Sequence, residues 1–514
     1  MRRSVIGIVV SVALILGWWG SLAGAGPAAP RGTLTIGLPT DINTLDPTMS
    51  PEVNTENVTF SVMEPLVYFD PQGNIRPRLA ESWQVVDKLT YIFHLRRGAK
   101  FTNGEPVNGK AVEFSWRRSQ ETHRTNRTAF GTVSRIEHVD DYTIRVITEK
   151  PDPIFLKRMA AASASIFPPK YTAEQKDEGV SLRPVGTGPF MLVEWVKGDH
   201  ATFKANPNYY LPNVPKVETL VWRFIPESAS RVAALQTGQI DIALRIPPQQ
   251  AAPLRGAANL ALSSALSTRT YYIMFNNMTT GRGTPIMDPR VRLAMNLGVD
   301  FQGIIKAVYR GEAQRVNSLI GNVQFGHDAT LPPLPYDPVR AKQLLAEAGY
   351  AQGFRVGMAC PSGAYANDKE ACEAIAGYLG QRLGIKVDLQ VMESNRFWDL
   401  QAKKQLPPLF FDGVGDRYQD PDTQLKGVLH PDSKWTSFDK QEFNELIIAG
   451  GSTVDPAERL RSYSRLARAM QADPPALFLW QVRNFEGVRK RVQGYTTRPN
   501  ESLSHVPFDV SVSE

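Results

Sequence analysis

Residues 184–244 constrain the chain more than any other stretch, because turn, strand and helix signals follow one another there without interruption. Gly186-Thr187-Gly188-Pro189 makes a turn that opens directly onto the strand-like run Phe190-Met191-Leu192-Val193. Residues 201–204 and 219–224 are rich in branched and aromatic side chains and predict two further strands, with the turn Asn206-Pro207-Asn208-Tyr209-Tyr210 between them. A short helix is expected over 228–237. Gly238 stops it, and Ile240-Asp241-Ile242-Ala243 follows as a strand-like run.

At 514 residues the chain is too long for one hydrophobic core, so two or three compact units are expected. Its net charge of +7 includes Arg2 and Arg3, and the remaining basic residues form only short pairs such as Arg117-Arg118 and Lys403-Lys404. That pattern excludes a nucleic-acid-binding stripe. Residues 1–25 read as a cleavable signal peptide: Arg2-Arg3, an apolar run over 5–16, then Ala23-Gly24-Ala25 as a small-residue cleavage site. The run is too short for a spanning helix, and no cysteine follows it to carry a lipid anchor. Cleavage after Ala25 would release the chain into the periplasm of a double-membraned host. The two cysteines, Cys360 and Cys372, both fall in the mature chain. An oxidising compartment permits a disulfide between them; equally, Cys372 shares helical spacing with Ile375, Leu379 and Leu383 and suits a buried free thiol.

Taken in order, residues 26–32 are a Pro/Ala linker, 33–37 a first strand, and Asn43-Thr44-Leu45-Asp46-Pro47 a turn. Nothing physical singles out Thr44 as a ligand contact. Residues 77–83, a strand over 91–95 and a glycine loop closing at Gly104 come next, with Trp83 and Phe101 expected in the core. Strands are expected over 135–139, 142–147 and 268–276, and helices over 155–162 and 289–296. Asp337-Pro338 and Asp455-Pro456 are helix starts. A third late helix is expected over 369–383, and Leu460, Tyr463, Leu466 and Met470 make an apolar stripe. Helix–strand alternation after residue 276 implies an α/β lobe.

The GTGPF turn, the Asn206–Tyr210 turn and Gly238-Gln239-Ile240-Asp241-Ile242-Ala243 occur in the order and spacing of the family 5 extracellular solute-binding proteins, which this chain resembles. Pro77-Arg78-Leu79-Ala80-Glu81-Ser82-Trp83, Tyr271-Tyr272-Ile273-Met274-Phe275-Asn276 and Pro289-Arg290-Val291-Arg292-Leu293-Ala294 extend the resemblance over nearly the whole mature chain. It implies an α/β fold of two lobes with a hinge and an additional inserted subdomain. Residues 26–50, 184–270 and 487–514 would form the first lobe, 51–183 the insertion and 271–486 the second lobe. Crossing segments would lie near 266–271 and 484–489. The implied role is non-enzymatic: a monomeric receptor that captures a peptide or other small polar solute and delivers it to an inner-membrane ABC permease, with no cofactor.

Enzymatic motifs point elsewhere. The chain has no G-x-S-x-G elbow, H-E-x-x-H helix or phosphate-binding G-x-x-x-x-G-K-[ST] loop, and its seven histidines lack metal-ligand spacing. A secreted hydrolase built on a carboxylate pair stays open, since such pairs meet only in the fold; so does a lobe pair redeployed as a chaperone or sensor partner. For the receptor, residues 410–423 resemble the family's G-W-x-A-D-Y-x-D-P-D loop, anchored on Asp420-Pro421-Asp422. Val414 then replaces the usual Trp, and Arg417 stands where peptide receptors carry an Asp for the ligand's amino group; a one-residue shift would put Asp416 in that role. Ala364 replaces an Arg that in several peptide receptors meets the ligand carboxylate. These exchanges imply a ligand other than ordinary dipeptides, with Arg417 facing an anionic or polyhydroxylated group. Thr187, Tyr272, Asn276, Phe397, Trp398, Tyr418 and Trp480 complete the expected cleft; no metal site is expected.

Overall fold

The computed structural model describes residues 29–513 apart from 71, 122, 126 and 127; the expected signal segment, 1–25, lies outside the described residues. The architecture is mixed α/β, with two large sheets and a separate antiparallel meander. In the first lobe the strand Thr33–Leu38 lies between Ile242–Ala243 and Thr219–Phe224, parallel to both. His200–Ala205 and Phe190–Val196 extend the sheet antiparallel on one side, and Trp480–Arg489 and Leu260–Leu266 on the other. Of the strands predicted within 184–244, the first three are consecutive neighbours, whereas the last shrinks to Ile242–Ala243 and lies on the other side of Thr33–Leu38. Helix Ser228–Thr237 ends at Gly238, whose φ of 83° is the left-handed cap that its missing side chain permits.

The second lobe is built on the sheet Lys386–Glu393, Arg355–Ser362, Leu409–Val414, Thr270–Phe275 and Ala476–Phe478. Its first three strands run parallel, and Thr270–Phe275 is antiparallel to both of its neighbours, Leu409–Val414 and Ala476–Phe478. Helices begin where the sequence marks them. Asp337 accepts the amide of Arg340, and Asp455 those of Ala457 and Glu458, each just before a proline at the first helical turn. One stripe position differs from expectation. Leu460 is exposed, and Arg459 takes the inward place beside Tyr463, Leu466 and Met470. The helix expected over 155–162 stops at Arg158 and resumes as a 3-10 turn at Ala162–Ala164.

The meander Ala80–Val85, Thr90–Leu95, Thr143–Thr148 and Val133–Asp140 forms the inserted subdomain with its own core, in which Phe101 is buried and Trp83 packs at the edge. Two segments join the lobes. Ser267, Thr268 and Arg269 connect Leu260–Leu266 to Thr270–Phe275, inside the span expected for the first crossing. The other crossing falls earlier than 484–489. Trp480–Val482 pairs with Ala313–Arg315 on the second-lobe side, whereas Arg483 to Arg489 pairs with the first-lobe strand Leu260–Leu266. One unbroken strand therefore passes from one lobe to the other near Val482.

Candidate functional site

Between the lobes, against both crossing segments, lies a cavity of about 570 Å³. Ser267 and Arg269 come from the first crossing and Val482 to Phe485 from the second; Arg245 and Glu501 line the first-lobe side, and Ala364, Tyr365 and Trp398 the second-lobe side. A smaller cavity of about 150 Å³ adjoins it and shares Ser267, Arg269, Arg417 and Glu501.

The second-lobe wall is ordered by one buried carboxylate. Asp412, on the strand Leu409–Val414, accepts hydrogen bonds from Tyr365 Oη at 2.7 Å, Gln401 Nε2 at 2.7 Å and Tyr272 Oη at 3.2 Å. Tyr365 is thereby fixed against Tyr271, with ring centroids 5.2 Å apart edge to face. The Cys360–Cys372 disulfide is formed and buried. It spans the turn that carries Ala364 and Tyr365. The apolar spacing of Cys372 with Ile375, Leu379 and Leu383 holds as well, since all four face the core. The free-thiol reading is overturned.

Arg417 reaches across the seam to the inserted subdomain. Its Nη1 lies 2.7 Å from Glu56 Oε1, its Nη2 donates to the Pro51 carbonyl at 2.7 Å, and its own carbonyl accepts from Asn500 Nδ2 at 3.1 Å. Beside it Asp416 is buried. Burial, then the nearby charge of Asp420, pushes its carboxyl up to about 7, against the amide of Tyr418 and the side chains of Lys157 and Gln324. Further along the same loop Lys157 lies 3.3 Å from Asp420 and donates to the Gln419 carbonyl at 3.2 Å. Arg459 grips Asp420 with two nitrogens at 2.6 and 2.9 Å.

On the first-lobe side Arg245 and Glu501 pair at 2.7 Å, both with positive φ (51° and 60°). Burial alone would raise Glu501, but the Arg245 and Arg269 charges hold its carboxyl below the usual range. Arg269 differs from its neighbours. Its amide donates to Ser267 Oγ at 3.0 Å and its Nη1 to the Gly413 carbonyl at 2.8 Å. Its guanidinium lies 5.6 Å from the Tyr365 ring centroid. A side chain at Gly415 would press on Arg269, since its Cβ would stand 3.2 Å from Nη2.

Of the residues expected in the cleft, Ala364, Trp398 and Arg417 line the main cavity, with Trp398 37% exposed at its wall. Asp416 and Tyr418 line the smaller one, and Val414 joins them at a hollow on the far side of Arg417. The other five sit elsewhere. Trp480 is fully buried against Tyr309 and Phe301 in the second-lobe core, because the strand it begins is still on that side of the crossing. Phe397 packs on Phe410, Tyr272 is spent on Asp412, and Asn276 closes the turn after its strand by accepting the amide of Thr279. Thr187 is fully buried in the first-lobe interior with Glu64. Arg245, Arg269, Tyr365 and Glu501 were not expected. The available signal was positional: Arg269 falls inside the first predicted crossing, and Tyr365 beside Ala364 in the turn already singled out. Among the described residues no group of three or more His, Cys, Asp or Glu is placed to hold a metal, and no helix is long and apolar enough to cross a membrane.

Residues 74–436 match the model of the bacterial extracellular solute-binding proteins, family 5. The glutathione-binding protein GsiB of Salmonella choleraesuis is 27% identical over 509 residues, covering 96% of this chain and 98% of its own. Among solved structures, the periplasmic binding protein AgaA of A. tumefaciens R10, in complex with agropinic acid, is 26% identical with a TM-score of 0.78, covering 94% of this chain and 99% of that one. HbpA2 of Haemophilus parasuis shares the fold at a TM-score of 0.83 and 24% identity, covering 94% and 100%.

Proposed function

We infer that this chain, which belongs to the bacterial extracellular solute-binding proteins of family 5, is the periplasmic capture component of an ABC importer for a peptide or related small polar solute. The observation that carries this reading is the cavity of about 570 Å³ walled by both lobes and both crossing segments. Its size falls within the range of small-molecule sites. Hinge rotation at Ser267–Arg269 and near Val482 would open and close it, so that the closed form reports loading to the permease. The ligands of two relatives, glutathione and agropinic acid, are of a size such a cavity takes. A carboxylate-pair hydrolase is not favoured, since Glu56 and Glu501 are each engaged by an arginine. The test is calorimetric titration of the mature protein, freed of bound solute, with glutathione and a dipeptide library, followed by uptake of each binder in a receptor-deletion strain. Stoichiometric binding without product, and uptake that depends on the receptor, support the importer role; turnover of a bound compound would overturn it.

A further inference from the structure

Four guanidinium groups line the main cavity, those of Arg245, Arg269, Arg417 and Arg483. Three have carboxylate partners: Arg245 with Glu501 at 2.7 Å, Arg417 with Glu56 at 2.7 Å, and Arg483 with Glu312 at 3.7 Å. Arg269 forms no ion pair among the described residues, and its side chain donates one hydrogen bond, to the Gly413 carbonyl. Resting on the reading of this cavity as the solute site, we propose that Arg269 anchors a carboxylate of the captured solute, while Arg417 is committed to closure.

The chemistry favours a carboxylate over other groups. A guanidinium offers a planar fork of donors that matches two carboxylate oxygens. Here the plane is held in advance, by the Gly413 carbonyl on one nitrogen and the Tyr365 ring beside it. Tyr365 is itself fixed by Asp412, so the fork is presented on an ordered wall. Glu501 and Asp412 act on Arg269 only from a distance, and a half-buried cation with no carboxylate in contact gains from a ligand that supplies one. The supplied charge should be single. Glu501 already feels Arg269, and Glu52 also lines the cavity, so a phosphoryl dianion would meet more repulsion than a singly charged carboxylate. The anchor comes from the crossing segment rather than from the turn that carries Ala364, so an alanine at 364 does not leave the cavity without a group for an anion.

The experiment uses the full mature chain, freed of bound solute, and a panel of dipeptides and glutathione. Each compound is offered as the free acid and with its carboxylates converted to amides. Wild type, Arg269→Gln, Arg269→Lys and Arg417→Gln are titrated by calorimetry, with thermal unfolding to show that each variant folds. Free acids should bind wild type at least about tenfold more tightly than their amides. Arg269→Gln should erase that preference by weakening the acids alone, Arg269→Lys should restore part of it, and Arg417→Gln should weaken acids and amides together. A preference that survives Arg269→Gln, equal binding of acids and amides, or a panel without any binder would each overturn the proposal. If acids bind through Arg269 but no binder is taken up in the deletion-strain assay, the importer reading fails and the anchor stands.

Discussion

At the seam between the inserted subdomain and the second lobe, Lys157 meets Asp420, Arg459 grips the same carboxylate with two nitrogens, and Arg417 meets Glu56. In the adjoining cavity Arg269, equally cationic, has an aromatic face and one carbonyl but no carboxylate among the described residues. Both regions hold arginines; they differ in what each charge contacts. Cations paired with carboxylates hold the elements they join in place, and removing the partner of a buried one, as at Arg459 and Asp420, strands the other. A cation held in orientation with no carboxylate in contact is set up to take one from outside. The contrast assigns the seam to closure and the cavity to recognition, and it can be attacked from either side.

The largest effect is expected at Asp420. Asp420→Ala strands the buried Arg459 and removes the Lys157 contact, and should destabilise the fold by about 3–5 kcal/mol, read as a lowered urea midpoint. If the seam is structural, the surviving folded protein keeps its preference among solutes; a changed preference would break the contrast. Next comes Asp416, in the same loop. Its folded-state value of about 7 lies above the ordinary 3.8, so between these values the folded form holds a proton that the unfolded form has lost. Stability from this group is therefore present at low pH, falls as pH rises from about 4 to about 7, and is flat beyond. Asp416→Asn should remove that fall, so wild type should lose more stability than the variant between pH 5 and pH 8, by up to about 3 kcal/mol, because the part of the fall above pH 5 spans about two pH units. Glu486, also pushed up to about 6, with burial the leading cause, is common to both proteins and cancels in the comparison. Equal slopes would show that Asp416 is ionised throughout.

Cys372→Ser tests the recognition side. The bond closes a short loop, and losing it should cost about 2–3 kcal/mol of stability. Because the loop carries Ala364 and Tyr365, solute affinity should fall as well, whereas the Asp420 variant should leave selectivity intact. Stability loss without any change in binding would detach the bridge from the cavity wall.

The sequence carried the first-lobe sheet almost strand for strand, because turn residues bracket each apolar run between 184 and 244. The resemblance of residues 410–423 to the family loop, anchored on Asp420-Pro421-Asp422, placed residues 414–418 in the expected cleft, and the structure sets Asp416, Arg417 and Tyr418 at the two adjoining cavities. Trp480 misled for a physical reason: its strand is continuous across both lobes, and alternation within a strand does not say which body each half serves. Arg459 misled in the other direction, since a charged residue does not advertise that it replaces Leu460 in an apolar stripe. The cavity itself was hardest to read. Arg245 with Glu501, and Arg269 with Gly413, meet across long sequence separations, and no local periodicity encodes a partner that is distant in the chain or a counter-charge that is missing.

The smallest expected effect separates the two arginines most directly. Arg417 is partly exposed and Glu56 nearly buried, with their contact at 2.7 Å. A double-mutant cycle on Arg417→Gln and Glu56→Gln should give a coupling of about 1 kcal/mol in stability. If the pair is a clasp, both single variants should raise the dissociation rate of every solute by a similar factor and leave the order of affinities unchanged, because they alter the closing equilibrium rather than the contacts of any one ligand. Were Arg417 instead to touch the solute, its single variant would reorder the affinities while Glu56→Gln, which frees the guanidinium, would tighten the binding of anions. The sign of the Glu56→Gln effect on anionic solutes therefore decides between them: looser binding keeps Arg417 with the seam, and tighter binding moves it into the cavity beside Arg269.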